Sequence, residues 1–145
     1  MMKRLAVAIF GLLMTSVAVG ANWVEINDSI QKKTVTYMDV DSLEKINLHL
    51  VGSYQTPVHS VFLKEEYKKG SKQRNDGIAR TVINYYVTCD PKAHFTRAAV
   101  RYDSKDEQIW SDKANISLLS QNDFSPTYPG TIGEFVNDTV CKKFN

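Results

Sequence analysis

The chain has 145 residues, 18 of them basic and 16 acidic, for a formal net charge of +2. Lys3 and Arg4 account for that excess; from Asn22 onward 16 basic residues face 16 acidic ones, so no global attraction to nucleic acid is implied. The remaining stretch of about 124 residues makes one domain, residues 22–145, large enough to bury a core without metal staples.

Residues 1–21 read as a secretory signal peptide: a basic start ending in Lys3 and Arg4, an apolar run over 5–19, and small residues at Gly20 and Ala21 for cleavage. The run is short for a membrane span, and no later stretch approaches the required apolar length. With no cysteine at the cleavage point, neither lipid anchor nor membrane span is expected after processing. The expected location is exported, periplasmic or secreted, possible surface association included.

In chain order, residues 22–26 could pair as an edge strand, and 34–40 alternate in polarity like a strand. Asp41 can cap a helical turn over 41–45, with Glu44 three residues on. Strands are predicted at 46–55, with Ile46, Leu48, Leu50 and Tyr54 on one face, and at 58–67. The insert 68–77 has turn residues and no apolar period, and is expected to be unstructured; it carries Lys68, Lys69, Lys72 and Arg74 against Asp76 alone.

Residues 81–89 and 94–102 form the central hairpin, rich in β-branched and aromatic residues, around Asp90 and Pro91, a pair favoured at the head of a type I turn. Ile83, Tyr85, Val87 and Cys89 share one face, as do Ala98, Val100 and Tyr102 on the partner strand. A short strand carrying Trp110 follows, then an ambiguous segment, 113–125, in which Ile116, Leu118 and Leu119 are expected to anchor a loop. Thr131 and Glu134 make a capping box that opens a final helix, with Ile132, Phe135, Val136 and Val140 in its apolar arc and Glu134, Asn137 and Asp138 opposite. Cys141 falls on the polar side of that wheel, so the helix is expected to stop before it.

The elements add up to an α+β fold: an antiparallel β-sheet of about six strands, meander-like, with a C-terminal α-helix packed on one face. In an exported chain, Cys89 and Cys141 are expected to pair, two free thiols being the alternative. The chain-entropy model gives that closure roughly 4 kcal/mol.

Trp23 near the mature start, the segment 37–43 (Tyr37, Asp39, Asp41, Ser42), a strand ending at Cys89, the Arg-bearing strand 96–102, the Pro129-Gly130-Thr131 corner and the terminal Val140-Cys141 occur in an order that resembles the surface-adhesin protein E family of small exported bacterial proteins. The resemblance spans the mature chain and implies an adhesin-like surface or envelope interaction module. The family's name-giving members are lipid-anchored adhesins that bind host matrix and plasma proteins. A protein partner from host matrix or envelope is therefore the expectation, with a soluble periplasmic inhibitor or envelope-stress protein as the alternative.

No nucleophile elbow, metal-ligand spacing or cofactor motif is present, so neither enzyme activity nor a cofactor or metal is expected. His49, His59 and His94 read as solvated or hydrogen-bonded strand residues. Asp39 and Asp41 could form a carboxylate pair, and read more simply as a strand end and a turn cap. Arg97 and Arg101, two residues apart in alternation and opposite Ala98 and Val100, present guanidinium groups along one outer face. With Lys68, Lys69, Lys72 and Arg74 they form the candidate partner-binding surface.

Overall fold

A computed structural model describes residues 20–29, 32–52 and 55–145. The signal-peptide reading falls almost wholly on residues 1–19, and the predicted core role of Tyr54 on residue 54, both outside the described residues. Seven strands form one antiparallel sheet: β1 (Trp23–Ser29), β2 (Thr34–Ile46), β3 (Val58–Tyr67), β4 (Arg80–Cys89), β5 (Lys92–Tyr102), β6 (Gln108–Lys113) and β7 (Ser125–Pro126). The first six pair in sequence order as a meander, and β7 adds to the start of β5 on the edge away from β4, the edge that β6 pairs further along. A short helix, α1 (Lys72–Asn75), sits between β3 and β4, and α2 (Ile132–Phe144) closes the chain against β4 and β5. The α+β architecture expected from the sequence is the one observed.

Two apolar clusters lie on opposite faces of the sheet. On the α2 face, Met38, Leu43, Val61, Leu63 and Val87 pack with Val136 and Val140. On the other face, Val58 and Ala93 pack with Leu50, Leu119 and Phe124, which the connections after β2 and β6 lay across it. One end of the sheet is thus covered on both sides. At 13 residues α2 is about 20 Å long, too short to cover strands of 10 to 13 residues completely, and the rest of its face stays open.

Four local expectations are corrected. Residues 41–45 are not a helical turn; β2 continues through them, because Glu44, Lys45 and Ile46 pair with Ser60, His59 and Val58. The Ser42 hydroxyl bridges the resulting irregularity, donating to the Asp39 carbonyl at 2.7 Å and accepting from the Phe62 amide at 2.9 Å. Of the predicted strand 46–55, Ile46 ends β2 and the described residues 47–52 form no strand: the Gln55 side chain bonds both the amide and the carbonyl of Leu50, and Leu50 enters the second core. The basic insert is not wholly irregular, since Ser71 caps α1 by accepting from the Arg74 amide. The hairpin turn carries a cis Asp90–Pro91 peptide, unlike the trans type I turn expected.

The helix also differs in phase. α2 runs through Cys141, and its buried residues are Val136, Asn137, Val140 and Cys141, while Phe135 is 49% exposed. Asn137, expected on the solvent face by its polarity, is fully buried. Cys141 bonds Cys89 at the end of β4, with Cα atoms 5.6 Å apart. Of the three expected loop anchors, Leu119 is buried and Ile116 packs against the second core, but Leu118 is 80% exposed, and Phe124 joins the cluster instead.

Both edges of the sheet are irregular. Glu25 pairs with Tyr37 and Asn27 with Thr36, leaving Ile26 as an inserted residue in β1; Ile109 is inserted likewise in β6, between partners of Tyr102 and Arg101. Such bulges bend an edge and spoil it as a template for another strand.

Candidate functional site

The open part of the α2 face is a cleft of about 770 Å³, inside the usual range for ligand sites. Its floor is alternate residues of successive strands: Thr34 and Thr36 from β2, Leu63, Glu65 and Tyr67 from β3, Tyr85 from β4, and His94 from β5. Its far wall is the loop from Pro126 to Gly130 and the first turn of α2. That wall is set by the capping the sequence suggested. Thr131 Oγ1 accepts from the Glu134 amide at 3.2 Å and donates to the Tyr128 carbonyl at 2.7 Å. Glu134 reaches back to the Gly130 amide, one residue earlier than a standard capping box, at 2.8 Å. Gly130 holds φ at +76°, where a side chain would be strained.

The polar groups in the cleft are neutral or held. Tyr67 donates to Glu65 Oε2 at 2.7 Å and lies 3.0 Å from the Thr81 hydroxyl. Burial above all pushes the Tyr67 phenol up to about 12, and burial raises Tyr85 as well, so both remain hydroxyl donors. Thr36 borders the cleft but is only 1% exposed, and its Oγ1 is sealed from water with no hydrogen-bond partner among the described residues.

His94 is positioned by a relay from α2. Asn137 Nδ2 donates to the carbonyls of Thr88 at 2.8 Å and Ala93 at 3.3 Å, which fixes its Oδ1 as the acceptor for the Thr127 hydroxyl at 2.7 Å. The Thr127 oxygen, its one proton spent on Asn137, faces His94 Nδ1 at 3.5 Å and can only accept there. At 3.5 Å the contact is long, and it favours the tautomer with the proton on Nδ1. Burial lowers its pKa, which keeps the ring neutral. The start of α2 packs close to this ring: a Cβ at Gly133 would meet it at 3.6 Å, an ordinary contact.

Chemically the cleft can accept and donate hydrogen bonds. Thr127, the hydroxyl beside His94, is turned to Asn137 rather than poised as a nucleophile. Among the described residues, no three His, Cys, Asp or Glu side chains form a cluster that could hold a metal. Asp39 acts structurally: its Oδ1 accepts from the amides of Asn22 and Asp41. A smaller cavity of about 520 Å³ lies around Lys45–Leu48 and Gln55–Val58, where Gln55 is already bonded to backbone.

The basic residues do not assemble as one face. Thr96 pairs with Tyr85 and Ala98 with Asn84, so Arg97 is itself a bulge residue and breaks the alternation that placed it beside Arg101. One Arg97 guanidinium nitrogen, Nη1, is buried without a partner, whereas Arg101 is exposed and stacks 4.4 Å over Trp110. The same bulge puts Arg101, opposite Thr81, on the α2 face of the sheet, and Ala98, Val100 and Tyr102 on the other. Lys72 pairs with Asp76 at 2.7 Å, Arg74 lies on α1, and Lys68 and Lys69 are exposed at the β3–α1 connection.

His49 is exposed, and His59, contrary to expectation, is buried, stacked 4.4 Å from Phe144 with Nδ1 unpartnered. Burial, with Lys45 second, lowers the His59 pKa below 6.5. Both depressed histidines favour the neutral folded state, so the unfolded chain binds protons first as acid is added. Their contribution is complete above pH 6.5 and is lost as pH falls through the lower folded-state values. A lower thermal midpoint at about pH 5 than at about pH 7.5 is expected, with a smaller drop in the double variant His59→Gln, His94→Gln.

Compared with known proteins, the chain matches no family model, no curated protein and no solved structure.

Proposed function

We propose that this protein is an exported, non-catalytic recognition module of the adhesin type, which holds a partner from host matrix or cell envelope in the cleft between α2 and the sheet. The observation that carries this reading is the cleft itself: an open volume of about 770 Å³ whose histidine is oriented from behind and whose nearest hydroxyl is committed elsewhere. The blunted sheet edges favour the cleft over strand addition as the means of capture. Export is supported by the leader-like start and by the disulfide. No helix among the described residues is long and apolar enough to cross a membrane. The resemblance to the surface-adhesin protein E family supports the adhesin class.

Gly133 supplies the test. Gly133→Ala meets only ordinary contacts at 3.5–3.6 Å and should stabilise α2 by about 1 kcal/mol. Gly133→Leu places a branched side chain beside His94 and plugs the cleft without leaving the helical backbone. In pull-downs from matrix and envelope extracts, Gly133→Ala should retain partners that Gly133→Leu loses, at equal folding by circular dichroism. Equal capture by both variants would remove the cleft from the account. Protease shaving of intact cells then separates surface display, where the protein is digested, from the periplasm, where it is protected.

A further inference from the structure

We infer that the cleft takes an extended polypeptide segment of about six residues, bonded by polar side chains at its two ends and carrying an apolar residue in its middle; this rests on the cleft being the recognition site. The strand register sets the length. His94 pairs with Val87, and Glu65 pairs with Thr81, six residues back along β4. The two groups therefore lie about 20 Å apart along the strands and two strands apart across them. Both border the same cleft, and no compact ligand reaches both.

The cross-section sets the shape. A volume of about 770 Å³ drawn out over about 20 Å has a mean section of roughly 40 Å². One extended chain occupies about 50 Å², the product of the strand and sheet spacings. A helix about 10–12 Å across occupies roughly 100 Å² and is too thick. The floor is a sheet face whose backbone is already paired, so side chains bond the ligand and no strand is added.

Polarity selects the polymer. At the Glu65 end Asn27 and Gln73 also line the cleft, and a carboxamide both gives and takes hydrogen bonds, as a peptide group requires. Glu65 itself uses only Oε2 for Tyr67. At the other end Thr127 is the one hydrogen-bonding contact of the His94 ring among the described residues, and it meets Nδ1, leaving Nε2 to the cleft. The floor between is apolar: the buried Leu63 and the ring of Tyr85, whose hydroxyl is engaged with Thr96. Ile132 and Phe135 of α2 wall the same cleft. A glycan sets hydroxyls against that stretch in every unit and leaves them unpaired. A polypeptide places one apolar side chain there and keeps backbone groups for the two ends.

Random heptapeptides displayed on phage, selected on the mature protein and counter-selected on Gly133→Leu, supply the probe. Enriched sequences should share an apolar residue near the centre, and the synthetic heptapeptide should bind with a Kd of about 1–100 µM by calorimetry. His94→Ala and Glu65→Ala, each folded by circular dichroism, should both weaken it about fivefold, because one chain reaches both groups. Alanine at the apolar centre of the peptide should weaken it about tenfold. Cut to four residues, about 14 Å, the peptide should respond to only one of the two variants. A heptapeptide that responds to one end alone overturns the spanning geometry, and equal binding to Gly133→Leu overturns the assignment to this cleft. Failure of any sequence to enrich overturns the polypeptide class. If Gly133→Leu still loses partner capture in that case, the cleft reading stands without it, and binding to immobilised oligosaccharides would assign the ligand to glycan instead.

Discussion

Replacing both cysteines, Cys89→Ala with Cys141→Ala, is expected to lower stability by roughly 4 kcal/mol and the thermal midpoint by roughly 12–20 °C. The bridge spans a sequence separation of 52, so without it the unfolded chain regains a large loop entropy. Native packing amplifies the loss. Cys141 is buried at the far end of α2, and Val136 and Val140 complete the core cluster on that face of the sheet. A domain of this size has a total stability of about 5–15 kcal/mol, so the variant keeps only part of its margin. Thermal unfolding followed by circular dichroism, with the wild type with and without reductant beside the variant, measures the effect. A loss under about 1 kcal/mol would mean that the loop-closure argument does not apply here.

The second large effect is at Asn137, where Asn137→Leu should cost about 2–4 kcal/mol. Leucine has comparable bulk and fits an apolar neighbourhood, so size alone predicts little change. The cost arises from hydrogen bonding: the carbonyls of Thr88 and Ala93 lose their donor from α2, and the Thr127 hydroxyl loses its acceptor. The same substitution frees Thr127 to donate toward His94. Nitrogen chemical shifts of the His94 ring should therefore change from an Nδ1–H form in the wild type to a mixture in the variant. Destabilisation with an unchanged tautomer would separate the structural role of Asn137 from its positioning role.

Much of the sheet was legible because alternation of β-branched and aromatic residues is a local signal. β3, β4 and β5 follow the predicted runs closely, and Thr131 with Glu134 marks the start of α2 correctly. What local pattern cannot carry is a single inserted residue. Ile26, Arg97 and Ile109 look like members of regular strands, yet each is a bulge, and the one at Arg97 was enough to divide the proposed arginine face. The helix wheel failed for a related reason. The wheel places Asn137 and Cys141 outward by polarity, whereas their partners, Thr88, Ala93 and Cys89, lie 44 to 52 residues away.

The cleft was illegible for the same physical cause. Its floor comes from β2, β3, β4 and β5, with β1 and α1 at its margins, and the one dense stretch of lining, Pro126 to Phe135, supplies only the wall. His94 had one usable hint, its place on a strand whose neighbours were assigned to the core. The orienting partners, Thr127 and Asn137, stand 33 residues beyond it and 10 further on. Thr36 gave no hint at all, since a threonine within a strand normally finds solvent or a neighbour.

Amide chemical-shift mapping of the isotopically labelled mature protein, titrated with whichever partner the pull-down recovers, addresses the site most directly. The shifts should concentrate at Thr34, Thr36, Glu65, Tyr85, His94 and Gly133. Shifts confined to the β6 edge or to the opposite face around Phe62 and Val82, with those cleft amides unmoved, would contradict the account.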